Sequence, residues 1–130
     1  MIFDGKAAAK KIEEDLITFG RLVGKSLLIL QCDGGDKEST YVRLKREMGE
    51  RLGVKVEVER LKNKEEVEER LKRVEEDGLL VQLPILGAGR EETEAILTAI
   101  PVEKDVDGLN ARSDFKPAAV LAVLRLLKAA

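Results

Sequence analysis

The sequence contains no histidine, no tryptophan, a single cysteine at Cys32 and a single tyrosine at Tyr41. Without histidine, catalysis by a Ser-His or Cys-His pair is excluded, and so is a metal site built on imidazole. One cysteine also excludes a disulfide framework and a cluster of thiolate ligands. The groups that remain for chemistry are lysine, tyrosine, carboxylates and side-chain amides.

Long apolar runs and an excess of charge of one sign are missing as well. No run approaches the roughly 20 residues that cross a bilayer, and the first residues do not read as a signal peptide, so we expect a cytoplasmic protein without membrane contact. The 23 Lys and Arg residues against 25 Asp and Glu residues leave a net charge of -2, which gives no electrostatic basis for nucleic-acid binding. At 130 residues, the chain is expected to form one domain.

Two continuous apolar runs predict buried strands. Residues 26–32 contain Leu-Leu-Ile-Leu and residues 78–84 read Gly-Leu-Leu-Val-Gln-Leu-Pro, which is typical of central strands covered on both faces. Residues 54–59 alternate valine with charged residues, which favours an edge strand. Helical spacing between these strands predicts a three-layer α/β/α domain with a mainly parallel sheet and right-handed crossovers.

The helices carry their own start signals and apolar faces. Asp4 is placed to cap the first helix, and Asn63 followed by Glu66 resembles a capping box. A helix opened by Pro117 has a broad apolar face, which we expect to pack on another surface. The first helix is expected to lie on the sheet through its stripe of Ala8, Ile12, Leu16 and Phe19.

Four polar side chains follow the predicted strands or the helices that come after them. Tyr41 and Lys45 lie four residues apart on the helix after the first strand, so their side chains share one face. Gln82 lies near the exit of a buried strand, and Asp107 lies in the loop after the third unit's helix. Because ligands of open parallel sheets collect at the carboxyl edge, we expect these side chains to converge on one pocket. A partly desolvated lysine beside a phenol is able to exchange protons at neutral pH.

The same residues also have ordinary structural explanations. Tyr41 and Lys45 would lie over the edge of the core, as many helical pairs do. Gln82 would be a buried amide bonded to a neighbouring loop. Asp107 would belong to a turn in which an aspartate binds its own backbone. Spacing alone leaves both interpretations open.

Residue spacing disfavours two further ligand classes. Asp105 and Asp107 could bind a metal ion, but two carboxylates without further clustered ligands form a poor site. Gly87 and Gly89 resemble the start of a dinucleotide-binding loop, yet Glu92 stands where the third glycine of Gly-x-Gly-x-x-Gly belongs. We therefore expect neither a metal site nor a nicotinamide site in this chain.

Four segments carry a stronger signal together than any of them carries alone. They are Asp-Gly-Lys at residues 4–6, Tyr-Val-Arg-Leu-Lys at 41–45, Val-Gln-Leu-Pro at 81–84 and Pro-Val-Glu-Lys-Asp-Val-Asp-Gly at 101–108. With these segments in this order, the chain resembles the bifunctional methylenetetrahydrofolate dehydrogenase/cyclohydrolase family, specifically its N-terminal folate-binding catalytic domain. The resemblance spans most of the chain and implies the fold of the N-terminal domains of folate and amino-acid dehydrogenases.

The resemblance implies a site for tetrahydrofolate derivatives at the carboxyl edge of the sheet, with no metal. Lys45 would be the proton-transfer residue that hydrolyses the methenyl bridge, and Gln82 would hold and tune it. Tyr41 would stack on the folate, and Asp107 would bind the pterin. The catalytic residues implied are Lys45, Tyr41 and Gln82, and the substrate-binding residues implied are Tyr41, Val81, Gln82, Leu83, Pro84, Asp107 and Gly108.

The chain also departs from the pattern of this family. Family members carry a following Rossmann domain that binds NADP; the chain is expected to stop where that domain would begin, with residues 117–130 resembling the connecting helix and no cofactor bound by this chain. Leu86 replaces the family's second proline after Val-Gln-Leu-Pro, and Ser39 precedes Tyr41 by two residues rather than three. The usual Pro-Cys-Thr-Pro reads Pro-Ala-Ala-Val at 117–120.

Two other functions remain open from the sequence. The chain could be a non-catalytic fragment or one half of a split protein, which binds folate or docks a separate cofactor-domain chain or a second copy through its apolar C-terminal helix. The amino-terminal domain of shikimate-type dehydrogenases shares the expected architecture, but its own motifs are absent here.

Overall fold

The computed structural model describes residues 4–129, which form five helices and one three-stranded parallel sheet. The sheet has the strand order β2-β1-β3. This confirms the α/β class, the central position of the first strand and the edge position of the second. In chain order the elements are α1 (Gly5–Phe19), β1 (Ser26–Gln31), α2 (Thr40–Arg51), β2 (Lys55–Arg60), α3 (Lys64–Leu71), β3 (Gly78–Gln82), α4 (Arg90–Ala99) and α5 (Ala118–Ala129).

Helices cover both faces of the sheet. Alternate side chains of a strand point to opposite faces, so Leu28 and Leu30 of β1 pack in one cluster with residues of α3 and α4. Ile29 of β1 and Leu80 of β3 pack on the other face with Val42 of α2. Complete burial of one such side chain contributes about 2 kcal/mol. The predicted three-layer arrangement is therefore present, with α2 on one face and α3 and α4 on the other.

Strand β3 lies at the side of the sheet within the described chain, whereas its apolar run predicted a central strand. The segment after α4 covers its outer side. The N–H of Leu79 donates to the carbonyl of Lys104 at 2.7 Å, and Leu79 and Asp105 form an isolated parallel bridge. This cover buries residues 78–81 as a neighbouring strand would, which explains why the pattern was misleading.

The predicted helix caps are largely present. The Asp4 carboxylate accepts hydrogen bonds from the N–H groups of Lys6 and Ala7. Asn63 accepts the N–H of Glu66 at 2.9 Å, but the Glu66 carboxylate accepts from Lys62 rather than from Asn63. The capping pair is therefore displaced by one residue from the expected box.

Helix α1 does not lie on the sheet, contrary to the prediction. None of its residues is buried, and Leu16, Ile17 and Phe19 are exposed. It is joined to α2 by an ion pair in which Nε of Arg51 lies 2.8 Å from a carboxylate oxygen of Glu13. Because α2 already covers the nearby sheet face, the apolar stripe of α1 meets no core.

Helix α5 also lacks a core partner within residues 4–129, so the packing expected of it is not met there. It begins directly after Pro117, whose carbonyl accepts the N–H of Leu121 at 3.1 Å; Ala130, the last residue of the predicted helix, lies outside the described residues. No helix in this range is both long and apolar enough to cross a bilayer. The exposed large apolar residues of α5 are Val120, Leu121, Val123, Leu124, Leu126 and Leu127.

Candidate active site at the carboxyl edge of the sheet

The carboxyl ends of the three parallel strands meet at one edge of the sheet. Gln31 ends β1 and Gln82 ends β3, and the two residues are direct partners in the strand register. From this edge, β1 continues through residues 32–39 into α2, and β3 continues into residues 83–89 before α4. The two loops and the first turns of α2 form the candidate site.

Helix α2 presents two of the predicted residues on successive turns. Its start is fixed by Ser39, whose hydroxyl accepts the N–H of Val42 at 3.2 Å. Tyr41 lies in the first turn and is 72% exposed. Lys45 lies one turn later with its side chain 38% exposed. The serine two residues before Tyr41 is thus the helix cap.

Three segments of the chain meet at Lys45. Its Nζ donates to Oε1 of Gln82 at 3.2 Å and lies 3.9 Å from Oδ2 of Asp107. Nε2 of Gln82 donates to the carbonyl of Leu83 at 3.1 Å, which leaves the amide oxygen directed at the lysine. The structure therefore brings Lys45, Gln82 and Asp107 together, and it places Tyr41 one turn before Lys45.

The ion pair between Lys45 and Asp107 is weak. A separation of 3.9 Å is too long for a hydrogen bond, and both side chains keep solvent contact, at 38% and 24% exposure. A pair of this kind contributes at most about 1 kcal/mol. The Asp107 carboxylate makes no hydrogen bond to another residue in the described range, so its oxygens are free to accept from a ligand.

Buried polar groups hold the loop that carries Asp107. The carboxylate of Asp105 accepts the N–H of Leu109 at 3.1 Å and the N–H of Asn110 at 2.8 Å. Asn110 is itself buried and donates from Nδ2 to the carbonyl of Ile100 at 2.8 Å. Asp105 is therefore the aspartate that binds its own backbone, and Asp107, two residues on, faces the lysine.

The remaining residues of the implied substrate site differ in accessibility. Leu83 and Pro84 are exposed, whereas the side chain of Val81 is buried in the core, so only its backbone could meet a ligand. Gly108 has a φ of 63°, and a Cβ there would collide with the carbonyl oxygen of Phe115. Packing thus requires glycine at this position whatever the ligand contacts are.

Exposed apolar side chains lie on the segments that flank Lys45. Tyr41 and Leu44 belong to α2, and Leu83 and Leu86 follow β3. Two surface depressions lie elsewhere, one of about 210 Å³ at the opposite edge of the sheet and one of about 340 Å³ between α3 and α4. The site at Lys45 is an open edge, with polar groups at its centre and apolar side chains around it.

Gln31 is the residue at this edge that the sequence reasoning missed. Its side-chain amide is buried and forms three hydrogen bonds within residues 33–39. The sequence contains a signal for Gln31, because it is a polar residue at the end of an apolar strand, as Gln82 is. The amide that ends β3 contacts the lysine, and the amide that ends β1 is bonded within the connection between β1 and α2.

Residues 87–89 precede a helix whose N-terminus is already capped. The carboxylate of Glu92 accepts the N–H of Gly89 at 2.8 Å and pairs with Lys64. The hydrogen bonds from Lys64 and from Gly89 lower the pKa of Glu92 below its ordinary value. The residue in the place of a third glycine is therefore a capping carboxylate, which would repel a phosphate.

The fold and the position of the lysine cluster define an α/β domain of the kind that binds a ligand at the carboxyl edge of a parallel sheet. Over residues 3–107, the sequence matches the family described as "Tetrahydrofolate dehydrogenase/cyclohydrolase, catalytic domain". The match covers most of the chain, and the chain belongs to this family.

Three known proteins illustrate the similarity. The chloroplastic bifunctional protein FolD 4 of Arabidopsis thaliana is 34% identical over 126 residues, which cover 85% of this chain and 34% of the plant protein. The 5,10-methylenetetrahydrofolate dehydrogenase of the silkworm Bombyx mori superposes with a TM-score of 0.80 at 28% identity, covering 96% of this chain and 49% of the silkworm chain. The methylenetetrahydrofolate dehydrogenase-cyclohydrolase (FolD) of Trypanosoma brucei, solved with NADP cofactor and inhibitor, gives 0.80 at 27% identity over 99% of this chain and 51% of its own. This chain therefore spans about half the length of the two solved relatives.

Proposed function

We propose that this chain is a folate-binding catalytic domain whose site hydrolyses methenyltetrahydrofolate to formyltetrahydrofolate. The observation that carries the proposal is the position of Lys45, in contact with Gln82 and facing Asp107 at the carboxyl edge of the sheet. Family membership supports folate as the ligand, because the relatives are named as methylenetetrahydrofolate dehydrogenases and bifunctional FolD proteins.

The exposed groups at this edge suit a folate, which joins a flat heteroaromatic ring to a charged tail. The ring of Tyr41 is free to stack on an aromatic part of the ligand. The Asp107 carboxylate is free to accept N–H groups of the pterin, and its ion pair with Lys45 is weak enough to be exchanged. Leu83 and Pro84 add apolar contact next to Gln82.

The chemistry needs only a placed water molecule and a proton carrier. The methenyl bridge is already a cation, so water can bond through its oxygen to the bridge carbon while Nζ of neutral Lys45 accepts one proton. The hydroxyl then loses its second proton as a carbonyl forms. The carbon–nitrogen bond breaks, the released nitrogen is protonated by way of Lys45, and one proton leaves to solvent overall.

Gln82 gives Lys45 its orientation in this scheme. An amine that donates one N–H to the amide oxygen of Gln82 has its lone pair directed elsewhere, toward the water. No metal ion takes part in these steps.

Hydrolysis and ligand binding test this proposal with different variants. We expect Lys45→Ala to slow the hydrolysis of methenyltetrahydrofolate at least about 100-fold, the usual size of a general acid–base contribution. Lys10→Ala, which changes an exposed lysine of α1, is the matched control and should leave the rate unchanged. Equal hydrolysis rates for the parent chain and Lys45→Ala would overturn the role of Lys45.

We expect Asp107→Ala to weaken binding of 5-formyltetrahydrofolate at least about tenfold, as measured by calorimetry.

NADP-dependent oxidation of methylenetetrahydrofolate is proposed to require a further domain. Within the described residues, the one glycine pair that resembles a phosphate loop leads into a helix capped by Glu92. We expect calorimetry to detect no NADP binding to this chain. NADP-dependent oxidation by the chain alone would contradict this expectation.

A second candidate is a non-catalytic module that docks a cofactor-domain chain or a second copy through α5. The observation that favours it is the exposure of six large apolar residues on that helix. Light scattering separates the candidates, because a stable monomer that hydrolyses methenyltetrahydrofolate without a partner would exclude the module.

The cytoplasmic location of this chain stays a prediction. Its relatives include the chloroplastic plant protein and a cytoplasmic C-1-tetrahydrofolate synthase of Homo sapiens.

A further inference from the structure

Gln31 is a buried amide that the proposed chemistry does not use. It is the last residue of the central strand and is only 1% exposed. Nε2 donates to Oδ2 of Asp33 at 2.9 Å and to the carbonyl of Lys37 at 3.1 Å. Oε1 accepts the N–H of Ser39 at 3.0 Å. Both donors and the acceptor of the amide are therefore engaged.

These three bonds fix the whole connection between β1 and α2. The residues bonded to Gln31 are Asp33, Lys37 and Ser39, which all lie in the connection formed by residues 32–39. Ser39 is the cap of α2, so the amide of Gln31 is bonded to the residue at which that helix begins. Tyr41 follows the cap by two residues, and Lys45 lies one helical turn beyond Tyr41.

The register of β1 and β3 places Gln31 next to the proposed site at Lys45. Gln31 pairs with Gln82 across β1 and β3, and the Gln82 amide oxygen is bonded to Lys45. Lys45 reaches Gln82 from α2, so the position of α2 relative to the end of β3 decides whether the two side chains meet. A shift of α2 away from β3 would have to be taken up by the lysine side chain for the 3.2 Å bond to persist.

We propose that Gln31 is a positioning residue that sets α2 so that Tyr41 and Lys45 face the ligand. The inference rests on the proposed folate site for its consequence in binding. Its structural part, that Gln31 holds the start of α2, is measurable without any ligand.

Gln31→Met is the test variant. Methionine has nearly the same volume but cannot form the three bonds, so the N–H of Ser39 and the carbonyl of Lys37, which are partly buried, lose their partner. Ser26→Ala is the matched control, because Ser26 is the polar residue at the other end of β1 and, among the residues that the structure describes, its hydroxyl bonds only to Asp77. Both variants are compared at denaturant concentrations that give equal free energies of unfolding.

Two measurements decide the proposal. Amide hydrogen exchange at Val42 and Arg43, which are bonded to Ser39, should be at least about tenfold faster in Gln31→Met and unchanged in Ser26→Ala. Binding of 5-formyltetrahydrofolate, followed by calorimetry and by the ring resonances of the sole tyrosine, should be at least about tenfold weaker in Gln31→Met only.

The outcomes separate this inference from the proposed function. If the parent chain does not bind 5-formyltetrahydrofolate, the proposed function fails, and the exchange rates still decide the role of Gln31. If Gln31→Met exchanges like the control, or binds the ligand with the parent's affinity, Gln31 is not a positioning residue. Faster exchange together with weaker binding in Gln31→Met alone supports it.

Discussion

Leu86 ties together the two loops that flank Lys45. Its N–H donates to the carbonyl of Cys32 at 2.6 Å, and its side chain lies against Gly34 in the loop after β1. A proline, which the family resemblance leads one to expect here, has no N–H and could not form this bond. The departure of the sequence from the family pattern therefore has a structural counterpart.

We expect Leu86→Pro to loosen these loops and Leu86→Ala, which keeps the N–H, to do so much less. Loss of the bond costs about 1 kcal/mol. Cys32 is the reporter, since it is the sole thiol, and burial both shields it and raises its pKa, which keeps it unreactive. A thiol reagent should label Leu86→Pro about fivefold faster than the parent chain. Equal labelling of the two variants would show that the backbone bond is not responsible.

At the scale of elements, the distance between α2 and the sheet depends on a glycine. A Cβ added at Gly49 would lie 2.6 Å from Cγ2 of Val56 in β2, which is closer than carbon atoms approach. Lys45 lies one turn before Gly49 on the same helix. Close packing of α2 on β2 therefore also sets how near the lysine comes to the strand ends.

We expect Gly49→Ala to lower the free energy of unfolding. Alanine in a helix is favoured over glycine by about 0.5–1 kcal/mol, but overpacking of a tight contact costs about 1–3 kcal/mol, so the clash should prevail. Urea unfolding measures the sign. Val56→Ala in the same chain removes the clash and should make Gly49→Ala neutral or stabilising. A stabilising effect of Gly49→Ala alone would show that α2 moves freely.

The opposite ends of β1 and β3 are joined by a reciprocal contact between Ser26 and Asp77. The Asp77 carboxylate accepts the Ser26 N–H at 2.8 Å and the hydroxyl at 3.1 Å, and the Ser26 hydroxyl accepts the N–H of Asp77 at 3.0 Å. The hydrogen bond from the Ser26 backbone, followed by that from its hydroxyl, lowers the pKa of Asp77 below its ordinary value.

This contact should make part of the stability depend on acid pH. A carboxylate with a lowered pKa in the folded state contributes stability above its unfolded pKa of about 4 and loses it as the pH falls through the folded value. Asp77→Asn should therefore lower the free energy of unfolding at pH 7 and reduce its fall below about pH 4. Denaturant unfolding at a series of pH values measures this. A pH dependence identical to that of the parent chain would contradict the assignment.

At the scale of the whole molecule, sequence pattern predicted the sheet better than the outer helices. Continuous apolar runs marked β1 and β3 because both strands are covered on both faces. The position predicted for α1 was wrong, and the packing expected of α5 is not met within residues 4–129. Periodicity shows that a helix has an apolar side without showing which surface that side meets. Gln31 was overlooked because a sequence does not distinguish a glutamine that binds a neighbouring loop from one that contacts a lysine.

The exposed apolar surface of α5 should make the chain associate as its concentration rises. We expect Leu124→Lys with Leu127→Lys to reduce this association without lowering the free energy of unfolding, because both side chains are exposed in the single chain. Sedimentation velocity at two protein concentrations compares the variants. A parent chain that remains monomeric at the higher concentration would contradict the expectation.

The meeting of Lys45 with Gln82 and Asp107 also has a consequence for folding. The three residues come from segments far apart in the chain and meet in the folded domain. The unfolded ensemble therefore has no version of this site, and any ligand that binds there draws the folding equilibrium toward the native state. At a free ligand concentration 100 times its dissociation constant, this coupling adds about 2.7 kcal/mol to stability, so the melting temperature of the chain becomes a direct assay for its ligand.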